Sequence, residues 1–111
     1  MSDSITMTVA GDFLANMKIS VCDDPRFLEV VNLIRSADGS FVNLETLLHD
    51  YEADAYPEAG NEDAYARAAP FMADELKWMG FDAVATANNH SMNYSYGGLF
   101  RNIEAGEKVG L

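Results

Sequence analysis

Three short apolar runs, held apart by segments long enough for helices, constrain the fold of this chain more than any other feature. Residues 5–10 (Ile-Thr-Met-Thr-Val-Ala) are β-branched and alternate in polarity, which predicts a strand that Gly11-Asp12 stops. Residues 40–44 (Ser-Phe-Val-Asn-Leu) predict a second strand and residues 83–87 a third. Between the first two, Asp24 suits an N-cap and Pro25 the first helical position. Phe27, Val30, Val31 and Ile34 then follow at i, i+3, i+4 and i+7, one apolar face of a helix that Asp38-Gly39 ends. Pro70 pushes its predecessor away from helical geometry, so one helix across 63–79 is not expected. The helix instead has Pro70 in its first turn, runs to about Met79 and stops at Gly80, with Met72, Leu76 and Met79 as its buried stripe and Lys77 and Trp78 nearer the surface. Residues 88–98 read as a loop, 99–105 as a short helix and 108–111 as the opening of a fourth strand. Strand alternating with helix in this way predicts an α/β domain with a mostly parallel sheet flanked by helices.

A length of 111 residues allows one domain. Its 18 acidic and 7 basic side chains give a formal net charge of −11, which argues against a nucleic-acid partner because phosphate backbones need clustered Lys and Arg. Cys22 is the only cysteine, so no intrachain disulfide or cysteine-rich zinc site can form, and burial as a small apolar residue is expected. The start has no basic, apolar leader, and no apolar run approaches the ~20 residues of a membrane span. The expectation is a soluble, cytoplasmic chain without a membrane segment. Residues 46–64 are polar and rich in turn formers, including Pro57 and Gly60, which predicts a long surface loop. Asp50, Glu52, Asp54, Glu58, Glu62 and Asp63 would solvate that loop, and His49 would sit in it.

The polar residues just after the strands carry the chemistry. Asp12 follows the first, Asn43 and Glu45 close the second, and Asn88, Asn89 and His90 follow the third. In an open parallel sheet such positions share the crevice beyond the carboxyl ends of the strands. Carboxylates, an amide oxygen and an imidazole are hard or borderline donors that suit Mg²⁺, Mn²⁺, Fe²⁺ or Zn²⁺. Each residue alone also has a plainer use: Asp12 and Asn88-Asn89 as turn formers, His90 as a hydrogen-bonded loop side chain.

These residues form a recognisable order. Gly11-Asp12, then Asn43-Leu44-Glu45-Thr46, then Gly80-Phe81-Asp82 leading to Asn88-Asn89-His90 resemble the bacterial capsule-biosynthesis CapA family. That family includes the PgsA-type poly-γ-glutamate synthesis proteins and belongs to the calcineurin-like metallophosphoesterase superfamily. The resemblance covers nearly the whole chain and implies half of a metallophosphoesterase-like sandwich, the N-terminal part of a larger domain. It implies a divalent-metal cofactor held by Asp12, Glu45 and Asn89, with His90 as the catalytic general acid or charge stabiliser. Asn43, Asn88 and Tyr94 would contact a small-molecule or polyglutamate-type substrate, and Met92 and Tyr96 could flank the mouth. The reaction would be hydrolysis of a phosphoester or related bond. Three departures stand out. Leu14 occupies the place of a superfamily histidine, and Asn93 stands where the family has an acid. The family's second half adds histidines, for which His49 is a poor substitute. A non-catalytic binding or assembly module, a homo-oligomer, or an inactive fragment that keeps the fold therefore stays open beside the hydrolase.

Overall fold

The computed structural model describes residues 3–56 and 64–111. In chain order the elements are β1 (Met7–Phe13), α1 (Pro25–Ser36), β2 (Gly39–Leu44), β3 (Leu47–Leu48), β4 (Arg67–Ala68), α2 (Met72–Met79), β5 (Ala83–Ala85) and α3 (Ser95–Val109). Three strands form a parallel sheet in the order β1-β2-β5, flanked by the three helices, and β3 pairs with β4 in a second, two-stranded parallel sheet. The α/β architecture with a parallel sheet is the one that the alternating pattern predicts.

Local chemistry accounts for the elements. The Asp24 carboxylate accepts from the Arg26 N–H at 2.9 Å, and Pro25 starts α1 behind it. Val31 and Ile34 are buried, whereas Val30, on the flank of the same stripe, is exposed. Gly80 ends α2 with φ +103°, and its N–H closes on Lys77 at 3.0 Å. A side chain there would be strained and would press on Arg35. The Ser40 hydroxyl donates to the Gly80 carbonyl at 2.6 Å, and the Ser40 N–H donates to Asp82 at 2.9 Å, which ties the starts of β2 and β5 together.

One strand ends differently from the sequence expectation. Gly11-Asp12 does not stop β1. Ala10 pairs with Val42 and Asp12 with Asn43, so Gly11 is an extra residue, a bulge. The extra residue resets the alternation of faces: Asp12 joins the side of Val9, Phe41 and Asn43, and Phe13 turns to the side of Val42 and Leu44. That second side is the core. Phe13, Val42 and Leu44 meet Val31 and Ile34 of α1, Met72, Ala73, Leu76 and Met79 of α2, and Ala105 of α3. On the first side Met7, Val9 and Ala83 are exposed and Phe41 half-buried.

Four further expectations need correction. Residues 46–49 are not surface loop: Thr46, Leu47, Leu48 and His49 are buried, because β3 lies under α3 and pairs with β4. Polar residues from Asp50 onward outweigh that short apolar pair in the sequence, and Pro57, Glu58, Gly60, Glu62 and Asp63 lie outside the described residues. The last helix begins at Ser95, not 99, since Gly97 and Gly98 sit inside it. Residues 108–111 are not a strand: Lys108 and Val109 complete α3, with Lys108 reaching Glu104 at 3.0 Å, and Gly110 caps it at φ +79°. Cys22 is exposed, in a turn closed by its N–H on the Ile19 carbonyl at 2.9 Å.

Candidate functional site

The bulge at Gly11 sets Asp12 opposite Asn43, and a chain of side-chain hydrogen bonds starts there. Asn43 Nδ2 donates to Asp12 Oδ1 at 2.8 Å. Asn43 Oδ1 in turn accepts from Asn88 Nδ2 at 3.1 Å, and the same amide donates to the Leu44 carbonyl at 2.9 Å. Asn88 Oδ1 accepts the His90 N–H at 3.0 Å, and the Ser91 hydroxyl accepts the Asn88 N–H at 2.7 Å. The ends of β1 and β2 and the turn after β5 are thereby joined, as expected for a crevice at the carboxyl ends of parallel strands. Asn43 and Asn88, anticipated as substrate contacts, have both amide ends engaged within the protein.

Glu45 follows β2, with its N–H on the Phe13 carbonyl at 3.2 Å, so it too is anchored to the end of β1. Its Oε1 lies 3.8 Å from His90 Nε2, and both side chains are largely buried, 14% and 11% exposed. The other ring nitrogen, Nδ1, is 2.7 Å from Asn93 Oδ1. Asn93 is itself fully buried; its Oδ1 also accepts the Ala66 N–H at 2.9 Å, and its Nδ2 has no hydrogen-bond partner among the described residues. Asn89, next to His90, is exposed. The structure thus brings Asp12, Asn43, Glu45, Asn88 and His90 to one end of the sheet, beside Asn89. In the sequence Asn93 reads only as a missing acid; its i, i+3 spacing from His90 within a turn is the one signal of its contact with the ring.

Other anticipated residues lie elsewhere. Tyr94 is buried, its ring 4.4 Å from His49 and 5.9 Å from Tyr65, inside an aromatic cluster and not at a mouth. Tyr96 and Leu14 are exposed and Met92 half-buried. His49 is wholly buried and accepts the Tyr51 N–H on Nδ1 at 3.0 Å. Burial pushes its imidazole below the ordinary His value and Arg67 adds to this, against the opposite pull of Glu52 and Asp50. Arg67 donates to the His49 carbonyl at 2.7 Å and pairs with Asp50 at 3.0 Å, so these groups form a structural knot around β3.

The donors fit a divalent cation in type: two carboxylates, an imidazole and an amide at one sheet end. In number they come as the Glu45–His90 pair with Asp12 on the adjoining strand; among the described residues no three His, Cys, Asp or Glu gather as a ready metal cluster. Residues 6–111 match the family of bacterial capsule synthesis proteins, PGA_cap. The chain belongs to that family. Two curated proteins of Sinorhizobium fredii, the uncharacterized proteins y4sH and y4uA, are each 36% identical to it over 98 residues. Those residues are 87% of this chain and 21% of each relative, so this capsule synthesis family member spans about a fifth of the length of the curated proteins it matches. Among the described residues no helix is long and apolar enough to cross a membrane.

Proposed function

We propose that this chain supplies part of a metal-dependent hydrolase site that works on a phosphoester or related bond in the making of a capsule polymer of the poly-γ-glutamate kind. The observation that carries the reading is the Glu45–His90 approach of 3.8 Å, set beside the Asp12–Asn43–Asn88 relay at a single sheet end. Asp12, Glu45 and Asn89 would hold the ion, which when bound supplies an activated water and polarises the scissile bond. Asn43 holds the Asp12 carboxylate in place, and Asn88 fixes the backbone from which His90 projects. His90, whose imidazole can give or take a proton, faces the leaving group or the developing charge.

The test is a titration with Mn²⁺ and with Zn²⁺ followed by thermal unfolding of the wild type, Asp12→Ala and Glu45→Ala. At a hundredfold excess over Kd the ion should add about 2.7 kcal/mol to the wild type and markedly less to either variant. Equal stabilisation of all three removes the site. A second reading, a non-catalytic binding or assembly module, draws support from the donors being a pair with one neighbour. It requires that no metal concentration yields turnover of a generic phosphoester; hydrolysis lost in His90→Ala excludes it.

A further inference from the structure

We infer that Asn93 is the positioning residue for His90, keeping a hydrogen on Nδ1 and so aiming Nε2 at Glu45. The orientation of the Asn93 amide follows from the backbone. The Ala66 N–H can only donate, so the side-chain atom 2.9 Å from it is the oxygen. Turning the amide over would set an NH₂ against that N–H. The same oxygen lies 2.7 Å from His90 Nδ1 and carries no hydrogen, so Nδ1 must be the donor. Nδ1 is thus the nitrogen that keeps its hydrogen, and Nε2 the one that faces Glu45.

The rest of the geometry keeps this arrangement from relaxing. Asn93 is fully buried, its N–H donates to the His90 carbonyl at 3.0 Å, and its own carbonyl accepts the Tyr56 N–H at 2.9 Å. Both ends of the residue are therefore fixed while the side chain reaches back to the ring. On the far side, Nε2 and Glu45 Oε1 are 3.8 Å apart, beyond a direct hydrogen bond. An acid at position 93 would accept from the same two donors but would place a buried charge behind the ring; the amide gives the same tautomer without it.

The inference rests on the proposed function only for what Nε2 then does; the tautomer belongs to the protein alone. It is read by ¹⁵N NMR of histidine-labelled, metal-free protein at pH 8, with His90→Gln separating the His90 signals from those of His49. The wild type should show His90 with a protonated-type Nδ1. Asn93→Asp, which keeps both acceptances, should retain that form. Asn93→Leu, similar in size and without an acceptor, should move the Nδ1–H to Nε2–H ratio by about tenfold, the effect of one hydrogen bond. A wild type in the Nε2–H form overturns the inference, as does a folded Asn93→Leu with an unchanged ratio. Should Asn93→Leu fail to fold, the wild-type and Asn93→Asp spectra decide. Loss of the metal titration effect with the tautomer intact would remove the hydrolase reading and leave this one standing.

Discussion

His49 shows how far a single residue can stand from its sequence context. Polar and turn-forming neighbours suggest a loop histidine, yet the ring is wholly buried against Tyr94 and its Nδ1 is already an acceptor. Because burial, aided by Arg67, lowers its proton affinity in the folded state, the unfolded chain binds the proton more readily. Stability from this residue is therefore complete above the ordinary His value of 6.5 and is lost as pH falls below it. Unfolding midpoints should drop between about pH 7.5 and 5.5, by at most about 1.4 kcal/mol per pH unit from this group. His49→Phe should flatten that slope; an unchanged slope would mean that another group titrates. At the strand ends the position of residues was easier to read. Asp12, Glu45 and His90 were legible because a parallel sheet sends every strand end to one side. Asn93 was not, since a hydrogen bond within a turn leaves no periodicity in the chain.

At the scale of elements, α1 and α2 were legible from their caps and stripes, since Asp24-Pro25 and Gly80 state their geometry locally. The short β3–β4 pair and the true start of α3 depend on contacts between distant segments. Gly98 is the clearest case: placed by the sequence at the end of a loop, it lies inside α3, at a point where a Cβ would collide with that of Tyr94 and sit 3.5 Å from Leu47. Gly98→Ala should thus destabilise the protein by about 1–3 kcal/mol in urea unfolding, although alanine is the better helix former. A stabilising outcome would mean that α3 does not rest on β3 this closely. Glu75 is another long-range tie. Its carboxylate accepts from the Ile19 N–H at 2.9 Å, the Ser20 N–H at 2.6 Å and the Ser20 hydroxyl at 3.0 Å, pinning the segment between β1 and α1 onto α2.

For the molecule as a whole, helices cover one side of the sheet, and among the described residues the other is largely exposed. Leu44→Ala, on the helix-covered side, should cost about 2–5 kcal/mol, whereas Val9→Ala, 68% exposed on the other, should stay within about 0.5 kcal/mol. Comparable losses in the 111-residue chain would show that something covers the Val9 side. The acidic surplus of 11 charges sits with this picture: most of it is solvated surface, and two acids, Asp12 and Glu45, stand at the sheet end. The bulge in β1 decides which two sides the strand's residues take, and it makes the segment asymmetric toward genetic change. Around Gly11, where a Cβ would meet nothing within 4 Å, exchanges of residue are spatially cheap. Loss of that codon is tolerable in register too: Ala10 and Asp12 would become neighbours and pair with Val42 and Asn43 in plain alternation, which leaves Asp12 on the outer side and Phe13 in the oily layer. Drift can therefore rewrite or even drop position 11, while position 12 has no such slack, because its loss takes the carboxylate from the sheet end.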